Sequence, residues 1–303
     1  MILFPYKADL EINHIPIFTI LVCLICLGIF YKQEKNVEQL TLSIDEYCGT
    51  HQSEIFRLSL ISLYGNSKPE MCVKLILGMH TAKNQPEFVH KVIKKSSTLK
   101  GFNRTDSNQY LEQIIHDNYT DFELVAPKYL SNELAYHPKS WDPINMITAA
   151  FAHGSWNHVI GNLIFLFAFA VTVEAILGYL LFPVTIATIA LLSHIFYSVS
   201  MLGVSEPPPT LGLSGVVSGI MAMFVFFLPQ AKIRCLFWFF VIIRRFSITA
   251  WLFVAFFIGW DIYYLFTDDG TSRINFAAHV GGAIAGYLLG LILFRNKKQA
   301  IYT

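Results

Sequence analysis

The chain has 303 residues, of which 54% are hydrophobic and 14% charged, and its mean hydropathy is +0.49, a composition that excludes an ordinary soluble enzyme and indicates a polytopic membrane protein. A formal net charge of +1 with no cluster of basic residues argues against nucleic acid as a partner. The cysteines, at positions 23, 26, 48, 72 and 235, have no metal-ligand spacing with histidine, so no metal or other cofactor is expected.

Residues 15–31 form the first predicted membrane helix. A mixed segment with Lys7, Asp9 and Glu11 precedes it and no small-residue cleavage site closes it, so it is expected to remain as an anchor. Residues 32–141 are charged, and apolar only in patches: around Ile55, Leu58 and Ile61, then Met71 and Leu75, then Phe88 and Val92, then Leu111 and Ile115. That spacing predicts a helical extramembrane domain of roughly a hundred residues inserted between the first and second membrane helices. Cys48 and Cys72 lie in it, either as a disulfide, if the domain faces an oxidising compartment, or as two buried thiols.

The second span is predicted over residues 156–176, ended by Gly178, and the third over residues 181–200. After Pro207-Pro208-Pro209 comes Gly212-Leu213-Ser214-Gly215, which opens an apolar run that Pro229 stops. That run is roughly 22 Å long at 1.5 Å per residue, short of a bilayer core of about 30 Å. Its serine end is therefore expected inside the membrane, preceded by irregular backbone that protein or a wet cavity must shelter. Residues 235–243, bracketed by Lys232, Arg234, Arg244 and Arg245, read as an interfacial stretch. The fifth span is predicted over residues 247–266 and the sixth over residues 276–294, closed by Arg295, Lys297 and Lys298. With six crossings, the basic residues after the fourth and sixth fall on the side of both termini, which makes that side cytoplasmic and the insert external.

In this orientation spans two, four and six run the same way, each with polar residues near its outer end: His158 and Asn162, Ser214, and His279. Ionisable groups at that depth mark function by default. A serine hydroxyl needs a base to become a nucleophile, and His279 is the candidate. Gly215 and Gly219 on span four, and Gly282, Gly286 and Gly290 on span six, give two smooth faces that would bring hydroxyl and imidazole together. His158 and Asn162, four residues apart, share a helix face and could donate to an oxyanion. The blander alternatives are helix packing by glycine, a core histidine and interhelical polar contacts. Glu174 reads as a structural contact, and His153 and His194 as residues that hold loops or neighbours. No Gly-x-Ser-x-Gly elbow is present, and no acidic residue is evidently placed to orient His279, so a two-residue Ser–His machine is expected.

Residues 148–153, His158-Val159-Ile160-Gly161-Asn162, Val173-Glu174, Gly212 to Gly215, and Ala278-His279-Val280-Gly281-Gly282 with Gly286 together resemble the rhomboid family of intramembrane serine proteases. The resemblance covers residues 142–294 and the first helix. It implies an all-α, six-transmembrane-helix bundle in which Ser214 is the nucleophile, His279 the general base, and His158 and Asn162 the oxyanion donors. It implies a serine endopeptidase that cuts transmembrane proteins near their outer ends. Two departures stand out: a much longer loop after the first span, and Asp142 after Trp141 where many members have arginine.

The expected organisation is an N-terminus and first helix at 1–31, the insert at 32–141, a catalytic core at 142–294 and a cytoplasmic tail at 295–303. The expected partners are the lipid bilayer, transmembrane substrates and a protein partner of the insert. The expected membrane is a bacterial inner membrane, since no organelle signal precedes the first span, although Asn103-Arg104-Thr105 and Asn118-Tyr119-Thr120 are glycosylation sequons. The competing functional classes are a non-cleaving binder of membrane clients with the same fold, as inactive relatives are, and a transporter.

Overall fold

A computed structural model of the chain describes residues 2–8, 15–50, 53–82, 84–239, 242–268, 272 and 274–302. They form two compact units, one of Met1–Tyr31 with Leu134–Thr303 and one of Lys32–Glu133. Strand β1 (Ile2–Ala8) opens the first unit, and helix α1 (Ile17–Thr50) runs unbroken from the first unit into the second.

The second unit is helical. The latter part of α1 buries Leu40, Ile44, Tyr47 and Cys48 on one stripe, spaced as an amphipathic helix requires. It is followed by α2 (Glu54–Tyr64), α3 (Pro69–Thr81), α4 (Gln85–Lys94) and α5 (Arg104–Glu123). Local sequence sets the ends of these helices. Ser53 caps α2 by accepting from Phe56 N at 3.1 Å, and Asn84 caps α4 by accepting from Glu87 N at 2.9 Å. Asn103 caps α5 by accepting from Asp106 N at 2.9 Å, so the asparagine of the first sequon serves as a helix cap. Gly65 ends α2 with φ of 80°, the left-handed turn that glycine adopts without strain. Phe56, Leu60, Leu75, Leu111 and Phe122 fill the core. Of the two states open to Cys48 and Cys72, the structure has the disulfide, with Cα atoms 5.7 Å apart.

As a contact unit the insert ends at Glu133 rather than at residue 141. After the short α6 (Leu130–Leu134), Tyr136 exchanges two backbone hydrogen bonds of 2.9 Å with Thr210, and its hydroxyl bonds Ser198, which ties this stretch to the first unit. Helix α7 (Pro143–Phe151) then begins with Pro143 in its first turn and Asp142 as cap, accepting from Ile144 N at 2.9 Å. That gives Asp142 a structural use of its own.

The rest of the first unit comprises α8 (Trp156–Leu177), α9 (Leu181–Ser200), α10 (Ser214–Phe227), β2 (Lys232–Phe239), β3 (Ile242–Thr249), α11 (Ala250–Thr267), α12 (Phe276–Leu293) and α13 (Arg295–Tyr302). Among the described residues, α1, α8, α9, α11 and α12 are long and apolar enough to cross a membrane. Helix α10, at 14 residues, is shorter and apolar. Its side chains from Gly215 to Phe224 are all buried, and it lies among α8, α9, α11 and α12.

The chain is mostly helical but not all-α, which corrects the expectation. The described residues of the stretch between Lys232 and Arg245 are strand: 235–239 belong to β2 and 242–243 to β3, which pair antiparallel, and β1 pairs antiparallel with β2 in the order β1-β2-β3. The physical reason is alternation. Ile233 and Cys235 are buried while Lys232 and Arg234 are exposed, a period of two that one buried face of a sheet requires. Pro5, which cannot donate to a ladder, sits where the β1–β2 register shifts, on an edge strand. The helix of the predicted fifth span, α11, consequently starts at Ala250, not at residue 247.

One end of this unit gathers the sheet, α13 and the start of α1. Glu174, fully buried near the end of α8, accepts from Phe18 N (2.9 Å), Thr19 N (2.8 Å) and Thr19 Oγ1 (2.6 Å). It satisfies the unpaired amides at the N-terminus of α1, so its role is structural as expected. Lys297 Nζ donates to Ile176 O at 3.2 Å at the same end of α8.

Candidate active site

The opposite end of α8 is fixed by Ser155, whose hydroxyl accepts from His158 N at 3.2 Å. His158 thus lies in the first turn and Asn162 one turn further along the same face. Both side chains reach Gly212: a Cβ there would sit 2.6 Å from His158 Cε1, 2.7 Å from His158 Nε2 and 3.8 Å from Asn162 Nδ2. With φ of 127°, Gly212 holds a backbone shape that side chains rarely adopt, so glycine is required on both counts. Its N–H donates to Ala149 O at 2.8 Å, which pins the turn before α10 to the end of α7.

Ser214 is the first residue of α10 and is half-buried. The amides of this first turn have no partner within the helix, and they carry the positive end of its dipole. The side-chain nitrogen of Asn162, in a residue only 8% exposed, is buried without an acceptor among the described residues. An unsatisfied buried donor costs about 1–3 kcal/mol. Its position beside the turn that leads into Ser214 is where a developing negative charge would use it.

Across the bundle, the glycine faces meet as backbone on backbone. A Cβ at Gly282 would fall inside the Gly215 carbonyl, one at Gly286 inside the Gly219 carbonyl, and one at Gly219 would be 2.8 Å from Gly282 O. The turn of α12 that carries His279 therefore lies against the first turn of α10, with Ala278 O 3.2 Å from a Cβ at Gly215. No direct hydrogen bond joins the Ser214 hydroxyl to the His279 ring among the described residues. All four sequence-predicted site residues thus border one region at one end of the unit.

His279 is held from the side. Asn275 caps α12 by accepting from Ala278 N at 2.9 Å, and the Phe276 ring meets the imidazole edge to face, 6.4 Å between centroids. Tyr264 of α11 stacks on Phe276 at 5.1 Å. The expectation that no acidic residue orients His279 is corrected: Asp261 Oδ1, on α11, is 3.1 Å from His279 Nδ1. The available signal was that Asp261 is the sole charged residue of α11, a carboxylate inside a span, which asks for a partner. His153 was missed differently. Its ring packs edge to face on that of His158, 5.1 Å between centroids, behind the site. His194 bonds Ala190 O through Nδ1 at 2.9 Å and packs on Tyr136, a structural use.

Comparison with known proteins agrees with this geometry. Residues 140–296 match the family model of the rhomboid domain. The RHOMBOID-like protein 12, mitochondrial, of Arabidopsis thaliana is 29% identical over 152 residues, a match that takes in 46% of this chain and 43% of that protein, so less than half of the relative is spanned. With five helices among the described residues able to cross a membrane and the family model matched over more than half of the chain, this integral membrane chain belongs to the rhomboid family.

Proposed function

We propose that the protein is an intramembrane serine endopeptidase in which Ser214 is the nucleophile and His279 the general base. The observation that carries this reading is the backbone contact of Gly215 and Gly219 with Gly282 and Gly286, which sets the turn of the imidazole against the turn of the hydroxyl. Ser214 Oγ attacks a peptide carbonyl and its proton passes to His279 Nε2. Asn162, His158 and the amides at the start of α10 receive the charge that forms on the carbonyl oxygen, each donor contributing about 2.7–4 kcal/mol at the transition state. The imidazolium then protonates the departing amine, and water repeats the cycle on the acyl-enzyme.

The same proposal has six membrane crossings, with α10 as the short fourth, and transmembrane proteins as substrates. Supporting the even number of crossings is the pairing of β1 with β2, which puts the start of the chain beside the α10–α11 connection. The disulfide between Cys48 and Cys72 favours an insert on the oxidising side and termini on the reducing side, as in a bacterial inner membrane. The test is cleavage of single-span substrates, with small residues near the outer end of the span, by the protein in liposomes. Cleavage near that end, abolished by Ser214→Ala and by His279→Ala, is expected. A folded protein that retains such clients and cuts none of them would favour the non-cleaving binder.

A further inference from the structure

We propose that Asp261 is the positioning residue for His279, so that the hydroxyl and imidazole of this chain work with a third, acidic member; the inference rests on the serine-protease reading above. The carboxylate on α11 lies 3.1 Å from Nδ1, and the two side chains are only 14% and 15% exposed, so water screens the contact little. Capping does not explain it, because Asn275 already accepts the Ala278 amide at the start of α12. A lone carboxylate in an apolar helix is costly, and this one faces the His279 imidazole on α12.

The consequence is a fixed tautomer. An ionised carboxylate only accepts, so the proton of the neutral ring sits on Nδ1 and the lone pair on Nε2. That is the form able to take a proton from Ser214. In the acylation step the Ser214 O–H bond breaks towards Nε2 as the Oγ–C bond forms and the carbonyl π pair moves to oxygen. The proton on Nε2 then goes to the amide nitrogen as its C–N bond breaks. Asp261 accepts the Nδ1 hydrogen bond throughout, gains no proton, and stabilises the imidazolium that exists between the two transfers. The Phe276 ring, packed edge to face on the imidazole, limits its other orientations.

Other charges bear on His279, and a pH profile must be read against them. Among the described residues, α10 carries no titratable group; α9 brings His194 and Tyr197; α11 brings Tyr263 and Tyr264 besides Asp261; α8 brings His158 and, at its other end, Glu174; α12 itself carries Tyr287; and α13 brings Arg295, Lys297 and Lys298 at the far end of α12. None of these is altered by a change at residue 261.

The experiment is the rate of fluorophosphonate labelling against pH for the full-length protein and three variants. Asp261→Asn places an amide N–H against Nδ1 and so the wrong tautomer at Nε2; its plateau rate should fall by about 10²-fold or more. Asp261→Ala should shift the rising limb to lower pH, because the imidazolium loses its partner, and Asp261→Glu should restore labelling to within about tenfold. Folded Asn and Ala variants that label at the wild-type rate with an unshifted limb overturn the role of Asp261 and leave the Ser–His pair standing. Failure of the unmodified protein to label would instead count against the protease reading itself. If the variants do not fold, ring-15N histidine NMR of the unmodified protein decides, with the His279 signal assigned by its loss in His279→Ala. An Nδ1–H tautomer upholds the proposal and an Nε2–H tautomer overturns it.

Discussion

Replacing Gly282 by alanine tests the helix contact on which the site depends. The added methyl would fall inside the Gly215 carbonyl oxygen, where ordinary van der Waals contact begins only at 3.4 Å. The obstacle is backbone, not the end of a flexible side chain, so the two helices themselves must part. Overpacking of this kind costs about 1–3 kcal/mol, while alanine regains about 1 kcal/mol of helix propensity over glycine. The two nearly offset each other, and the variant is expected to stay folded with a modest fall in stability. Activity has no such offset: a displacement of about 1 Å between reacting groups costs about 10²-fold in rate. Labelling by a fluorophosphonate, followed in parallel with thermal unfolding in detergent, reads both. Gly28→Ala on α1, where an added Cβ meets nothing within 4 Å, is the control: it should leave labelling unchanged and raise stability by the propensity gain alone, about 1 kcal/mol. A Gly282→Ala protein that labels at the full rate would refute the claim that this contact sets the distance between Ser214 and His279.

Other predictions follow from single contacts. Asn162→Ala should lower the labelling rate by about 10²–10³-fold without lowering the melting temperature, because its side-chain nitrogen has no acceptor to lose; a fall in melting temperature with full activity would make it a structural residue. Glu174→Ala should destabilise the membrane unit by about 1–3 kcal/mol or more, since Phe18 N, Thr19 N and Thr19 Oγ1 lose their acceptor; unchanged unfolding would contradict that role. Cys48→Ser should destabilise the insert by about 3 kcal/mol from loop entropy, given a closed loop of 24 residues' separation; free thiols at both positions in protein isolated without reductant would exclude the bond.

Much of the site was legible because it depends on short-range spacing. Ser155 before His158, glycine every fourth residue on α10 and α12, and Pro143 after Asp142 each act through one helical turn, and a turn can be read from sequence. The extension of α1 through Leu40, Ile44, Tyr47 and Cys48 is legible as an apolar stripe once the helix is known to continue, but the change to charged composition at residue 32 marks only where the membrane span stops. What was hidden is pairing across distance. The β1–β2 ladder joins Ile2 to Trp238, and no local pattern near either residue names the other. The alternation of Lys232, Ile233, Arg234 and Cys235 is brief and runs at once into a continuous apolar stretch, which masks its period. Asp261 was visible as a lone acid, but the 3.6-residue period of a helix gives the direction of a side chain only relative to its own helix. Which helix stands there is settled by tertiary packing.

The most direct measurement is peptide-level mass spectrometry of the purified, fluorophosphonate-treated protein. A single adduct on the peptide containing Ser214, absent after His279→Ala, is the predicted result. An adduct on another serine of a correctly folded sample, or labelling that persists without the His279 imidazole, would contradict the pairing of these two residues.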